Sequence, residues 1–144
     1  IPRNKVWANE ESLYKNMVKT APQSVQSHFS LAIWYLENDM VDESIKEAEI
    51  AFRIYKDHPP LLNLMGTIAF LKGDYSLAED AFLRAIELRP KLAVSYSNLA
   101  KLYYRVGEYQ GAKEKLEILI NNLSQPQRSD LMLYEEVLKK LNEK

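Results

Sequence analysis

A small residue recurs every 34 positions in this chain, twice over and without a gap: Ala32, Gly66 and Ala100 form one series, and Ser44, Ala78 and Ala112 the other. A larger side chain at such points wedges packed helices apart, so paired small positions mark where the two helices of a hairpin touch. Steps of 34 put copies at Val25, Pro59 and Ala93, with a further start at Gln127. Fixed self-similarity of this length signals stacked supersecondary units rather than one globule with a single centre. Within each copy, Asp39, Gly73 and Gly107 hold position 15. All three tolerate a left-handed backbone, which a tight turn at a helix end requires. Position 24 reads Ala48, Phe82 and Leu116, and position 27 reads Ala51, Ala85 and Leu119.

Composition agrees with helices. The 144 residues are 47% apolar, rich in helix formers, with four glycines and six prolines placed as punctuation. The formal net charge is −1, which excludes the basic surplus of a non-specific nucleic-acid binder. No apolar run approaches the roughly 20 residues that span a bilayer, and Ile1–Lys5 has no apolar signal core, so the expectation is a soluble chain without direct membrane contact. The absence of cysteine excludes disulfides and thiolate zinc sites. The first residue is Ile1, which leads to the expectation of a piece of a longer protein.

The pattern resembles the tetratricopeptide repeat, a 34-residue helix–turn–helix family that asks for small residues at positions 8, 20 and 27, a large apolar one at 24 and proline at 32. Gly66, Ala78, Ala85, Phe82 and Pro90 answer it; Ser44, Ala48 and Lys56 depart from it in the first copy. The resemblance implies an all-α fold, a right-handed superhelical stack of hairpins. We expect one domain over 1–144, made of a half-repeat at 9–24, repeats at 25–58, 59–92 and 93–126, and a capping helix within 127–144. That makes eight helices. Asn9 is the expected N-cap of the half-repeat, before Glu10 and Glu11. Leu131, Tyr134, Val137, Leu138 and Leu141 form the expected inner stripe of a cap over Ser129–Asn142.

Nothing in the sequence composes a catalytic, cofactor or metal site. His28 and His58 are the two histidines; His28 reads as a packed hairpin residue and His58 as part of a connection. The glycines sit at turns and helix contacts, not in a phosphate-binding loop. Glu47, Glu49, Glu79, Asp80, Glu114 and Glu117 are expected to form solvated helix faces paired with Lys and Arg. Asn122-Leu123-Ser124 is a glycosylation triplet of a kind common by chance. The tyrosines and phenylalanines fall mostly at packing positions, and the interleaved cations of a base-stacking platform are missing.

The resemblance also implies a concave surface, lined by the first helix of each hairpin, that takes a peptide or a partner domain. Its register positions select Phe29, Ile33, Asn63, Thr67, Phe70, Ser97, Asn98, Lys101, Tyr104 and Arg105. An extended peptide would be held through the Asn63 and Asn98 amides, with Phe29 and Phe70 taking side chains. Packing on the next hairpin is an equal account of Phe29, Ile33 and Leu36. The clamp with which some family members grip a terminal carboxylate is absent, because the positions of its Lys and Asn, its second Asn, and its Lys and Arg hold Phe29 and Ile33, Leu64, and Val94 and Asn98. Arg3-Asn4-Lys5-Val6-Trp7, with Leu13-Tyr14 and Pro22 after it, is similar to the junction that follows the last membrane helix in O-mannosyltransferase-like proteins carrying such a tail. That implies an alternative: an extracytoplasmic accessory domain that positions acceptor protein, where a free-standing chain would be cytoplasmic. A third expectation is self-association through the half-repeat, where Trp7 and Leu13 lack a covering helix.

Overall fold

The computed structural model describes residues 3–123 and 125–143, with only the backbone for 3–7. Among the described residues every regular element is helical: α1 (Arg3–Thr20), α2 (Val25–Glu37), α3 (Val41–Ile54), α4 (Pro59–Leu71), α5 (Tyr75–Leu88), α6 (Ala93–Arg105), α7 (Tyr109–Glu117) and α8 (Arg128–Asn142). A π-type turn, Ile118–Asn122, continues α7. Residues 1–65 and 66–144 are two compact units, the boundary falling within α4.

The three hairpin turns are built alike. Asp39, Gly73 and Gly107 adopt φ of 60°, 81° and 84°. Each donates its N–H to the carbonyl three residues back, on Leu36, Phe70 and Tyr104. The next residue reaches five back: Met40 to Tyr35, Asp74 to Ala69 and Glu108 to Tyr103, at 2.8–2.9 Å. This paired bonding satisfies helix-terminal carbonyls and reverses the chain in a few residues.

In residues 1–65, Leu31, Trp34 and Tyr35 form a buried cluster against Tyr14, Val18 and Met40. The α2–α3 contact lies at Ala32 and Ser44, both fully buried. Ser44 donates its hydroxyl to the Ala32 carbonyl at 2.7 Å, so the departure from the usual small apolar residue is satisfied where it occurs. His28 is 4% exposed; its Nδ1 lies 2.6 Å from Glu47 Oε2 and its Nε2 2.9 Å from the Pro22 carbonyl. Two acceptors facing both ring nitrogens make the ring a structural bridge between α2, α3 and the connection after α1. The expected N-cap at Asn9 is corrected: α1 already runs from Arg3, so Asn9 lies inside it. Glu10 accepts from the Trp34 indole instead.

In residues 66–144, one core cluster joins Ala69, Ala78, Phe82, Leu99 and Leu102, and a second joins Ala100, Ala112, Leu116 and Val137. A Cβ built on Gly66 would lie 2.6 Å from Phe82 Cε1; the ring occupies the volume that a side chain at 66 would need. On α8, Leu133, Tyr134, Val137 and Leu141 face the second cluster. Leu131, expected in that stripe, is 44% exposed. The physical reason is the cap. Gln127 and Asp130 form a capping box, and Asp130, 2% exposed, takes the first inward position. The neighbouring Leu131 is thereby turned about 100° away. Ser124 of the glycosylation triplet, and the side chains of Arg3 to Trp7, lie outside the described residues.

Candidate functional site

The candidate residues fall in both units. In residues 1–65, Phe29, Ile33 and Asn63 are half-buried, and the Phe29 ring meets the His58 ring edge-on at 5.5 Å. In residues 66–144 the helices bring Thr67 and Phe70 of α4 together with Asn98 and Lys101 of α6. These four, with Leu71 and Phe82, line a depression of about 190 Å³. One helical turn on α4 separates Thr67 from Phe70 and Leu71, and one turn on α6 separates Asn98 from Lys101, so both pairs share a face. Asn98 Nδ2 donates to Thr67 Oγ1 at 3.4 Å across the floor. Leu71 stands at the rim, 60% exposed.

Asn98 and Lys101 also border a second depression of about 380 Å³, lined further by Lys91, Val94, Gln125 and Gln127. Position-by-position reasoning on repeats missed Lys91, Gln125 and Gln127. They lie in connections before α6 and α8, where no helical period announces which way a side chain points. Ser97, expected on the accessible face, is 8% exposed and donates its hydroxyl to Asp130 Oδ1 at 2.5 Å. Asp130 also accepts the Gln127 N–H at 2.8 Å. The Ser97 hydroxyl is thus committed within the unit. Tyr104 packs against Tyr109 with tilted rings and centres 5.5 Å apart, and exposed Arg105 donates to the Tyr75 hydroxyl at 3.3 Å. These two extend the α6 face without lining the apolar depression.

The carboxylates need a correction. Glu47 and Glu79, expected on solvated faces paired with Lys and Arg, bridge helices instead, and Glu117 bridges helices besides its expected lysine pairing. Glu47 meets His28, Glu79 accepts from the Tyr103 hydroxyl at 2.7 Å, and Glu117 accepts from Tyr134 at 3.0 Å. Each partner comes from a neighbouring helix, where aromatic hydroxyl or imidazole groups reach a second-helix carboxylate. Glu117 additionally keeps Lys113 at 3.7 Å. Burial first, and then the bond to Glu79, push the Tyr103 hydroxyl well above the ordinary tyrosine range. Glu79 and Tyr103 help line a third depression, of about 620 Å³, with Glu108, Glu114 and Lys115. Tyr103 lies two residues from Lys101, about 200° around α6, so this acidic hollow and the Lys101 face are separate. Among the described residues, no group of three or more His, Cys, Asp or Glu is placed to hold a metal ion. No helix there is long and apolar enough to cross a membrane.

Residues 59–92 and 81–114 each match the tetratricopeptide repeat family. The first window begins where α4 begins; the second takes the end of α5 together with α6 and the start of α7. The chain is similar to human protein O-mannosyl-transferase TMTC2, 37% identical over 68 residues, which are 47% of this chain and 8% of that protein. It is also similar to bovine tetratricopeptide repeat protein 36, 34% identical over 76 residues, 53% of this chain and 40% of the relative. The chain thus spans less than a tenth of the length of the transferase relative it matches. Among solved structures, Pseudomonas aeruginosa PilF superposes with a TM-score of 0.84 at 20% identity, covering 98% of this chain and 64% of PilF. The first repeat domain of Spaghetti (RPAP3), solved bound to the HSP90 peptide SRMEEVD, superposes at 0.76 with 16% identity, over 83% of this chain and 94% of that domain. With the 34-residue helix starts at Val25, Pro59 and Ala93 and the three turns built alike, the chain carries tetratricopeptide repeats, matched over residues 59–114.

Proposed function

We propose that this chain is a non-catalytic interaction module that binds an extended peptide, or a partner domain presenting one, on the face shared by α4 and α6. The observation that carries this reading is the depression bounded by Thr67, Phe70, Leu71, Asn98 and Lys101, where apolar walls adjoin an amide and an exposed amine. Apolar surface gives a peptide side chain somewhere to leave water, and the amide can pair with its backbone. Lys101 has no ion pair among the described residues, so binding displaces none. Phe29, Ile33 and Asn63 remain candidates by register on α2 and the start of α4. The peptide-bound relative supports the same class of partner. The test is selection of random displayed peptides on the immobilised chain. Enriched peptides should lose binding to an Asn98→Ala/Lys101→Ala variant whose helical circular dichroism matches the parent; equal binding would move the site elsewhere.

A second reading is favoured by the match to TMTC2: an accessory tail of a membrane O-mannosyl-transferase that positions acceptor protein. The coding sequence upstream of Ile1 discriminates. Repeated apolar segments of about 20 residues support the tail; further 34-residue units exclude it. Self-association through α1 has one supporting observation, Leu13, 58% exposed. A monomeric mass in light scattering at high concentration would remove it.

A further inference from the structure

The two depressions flanking Asn98 and Lys101 differ in chemistry from the acidic hollow around the other side of α6. We infer that the peptide they accept is an internal acidic segment, in which an apolar side chain and a side-chain carboxylate point the same way. This rests on the binding face proposed above and names its partner.

The apolar half is set by Phe70, Leu71 and Phe82. Beside it, the second depression presents Lys91 and Lys101, both exposed and neither ion-paired among the described residues. Its one carboxylate is Asp130, which is 2% exposed and already accepts from Ser97 and Gln127. The field that a ligand meets there is therefore positive, although the whole chain carries a formal charge of −1. Around the opposite side of α6 the balance reverses: Glu79, Glu108 and Glu114 stand against Lys115. A segment carrying carboxylates is attracted to one side of the helix and repelled from the other, which fixes where it lies as well as its charge.

Alternate residues of an extended peptide project to the same side. An apolar residue and a carboxylate two positions apart can then enter the two depressions, one on each side of Asn98. The ligand is read by its side chains, because Val94 and Asn98 stand where a terminal-carboxylate clamp needs cations.

The peptides selected above are synthesised with amidated C termini and a fluorescent label, and binding is followed by anisotropy. We expect Asp or Glu two positions from an apolar residue. Replacing that carboxylate by the amide, or introducing Lys91→Glu with Lys101→Glu, should each weaken binding about tenfold or more, and the two losses should not add. Both lysines are exposed, so the melting temperature should hold. Enriched peptides that are neutral or basic, or affinities indifferent to the charge reversal, would overturn the acidic partner while the Asn98→Ala/Lys101→Ala result upholds the site. No enrichment at all would remove the site itself. A single-stranded oligo(dA) bound as tightly as the selected peptides would also overturn the inference, since charge alone would then be read.

Discussion

The α2–α3 contact and the α4–α5 contact solve one steric problem by different chemistry. In the first, Ala32 faces Ser44, position 24 is the small Ala48, and a hydroxyl-to-carbonyl bond lies at the crossing. In the second, the glycine at position 66 admits the Phe82 ring, which fills the space from the other helix. Small plus small tolerates a polar bond; smallest plus largest makes an interlocked apolar contact. The period specifies how near the backbones come, and the pair of residues decides whether packing or hydrogen bonding holds them there. The polar style extends to His28 and Glu47 in the first unit. The apolar style extends to Leu99 and Leu102 against Phe82 in the second.

The largest expected effect breaks the interlocked contact. Phe82→Ala should cost about 3–5 kcal/mol in urea unfolding, through a cavity that the surrounding helices cannot close. Gly66→Leu comes next, at roughly 1–3 kcal/mol or more, because the first added atom already meets the ring. Pairing Gly66→Ala with Phe82→Leu should recover part of the Gly66→Ala loss; additive losses would show that the ring is not what the glycine admits. On the polar side, Glu47→Ala should cost about 1–3 kcal/mol by stranding a buried imidazole nitrogen. Ser44→Ala should cost only about 0.5–1.5 kcal/mol, since Ala fits the same space. A Glu47→Ala change without effect would mean that the bridge contributes nothing.

The smallest effect is read in the slope of stability at alkaline pH. The Tyr103 hydroxyl is held above the ordinary tyrosine value near 10, by burial first and then by Glu79. The folded chain therefore keeps a proton that the unfolded chain releases. The stability from this difference is whole below about pH 10 and declines as pH rises beyond it. Tyr103→Phe should flatten the fall in melting temperature between about pH 10 and 11 while slightly lowering the value at neutral pH. An unchanged slope would remove Tyr103 as the cause.

Much of the scaffold was legible because its determinants are local. A residue tolerant of positive φ at each position 15 is enough to place a turn, and Asp39, Gly73 and Gly107 are where the chain reverses. Small residues at positions 8 and 20 mark a crossing wherever two helices must approach. The proposed binding face was legible in part: register selected Thr67, Phe70, Asn98 and Lys101, which the fold brings together. It also selected Ser97, whose hydroxyl is taken by Asp130, 33 residues away in sequence.

The sequence by itself determined where the hairpins turn and touch, since a 3.6-residue period and a left-handed turn are properties of neighbours along the chain; the start of α1 it did not. Only the tertiary structure decided which carboxylates become bridges, which serine is consumed, and that Lys91, Gln125 and Gln127 border the face held by Asn98 and Lys101. Those outcomes depend on where side chains from distant helices and connections arrive, and a connection carries no period to foretell it. The phase of α8 is of the same kind. One capping box at Gln127 and Asp130 turns Leu131 outward and seats Val137 against Leu116 and Ala112.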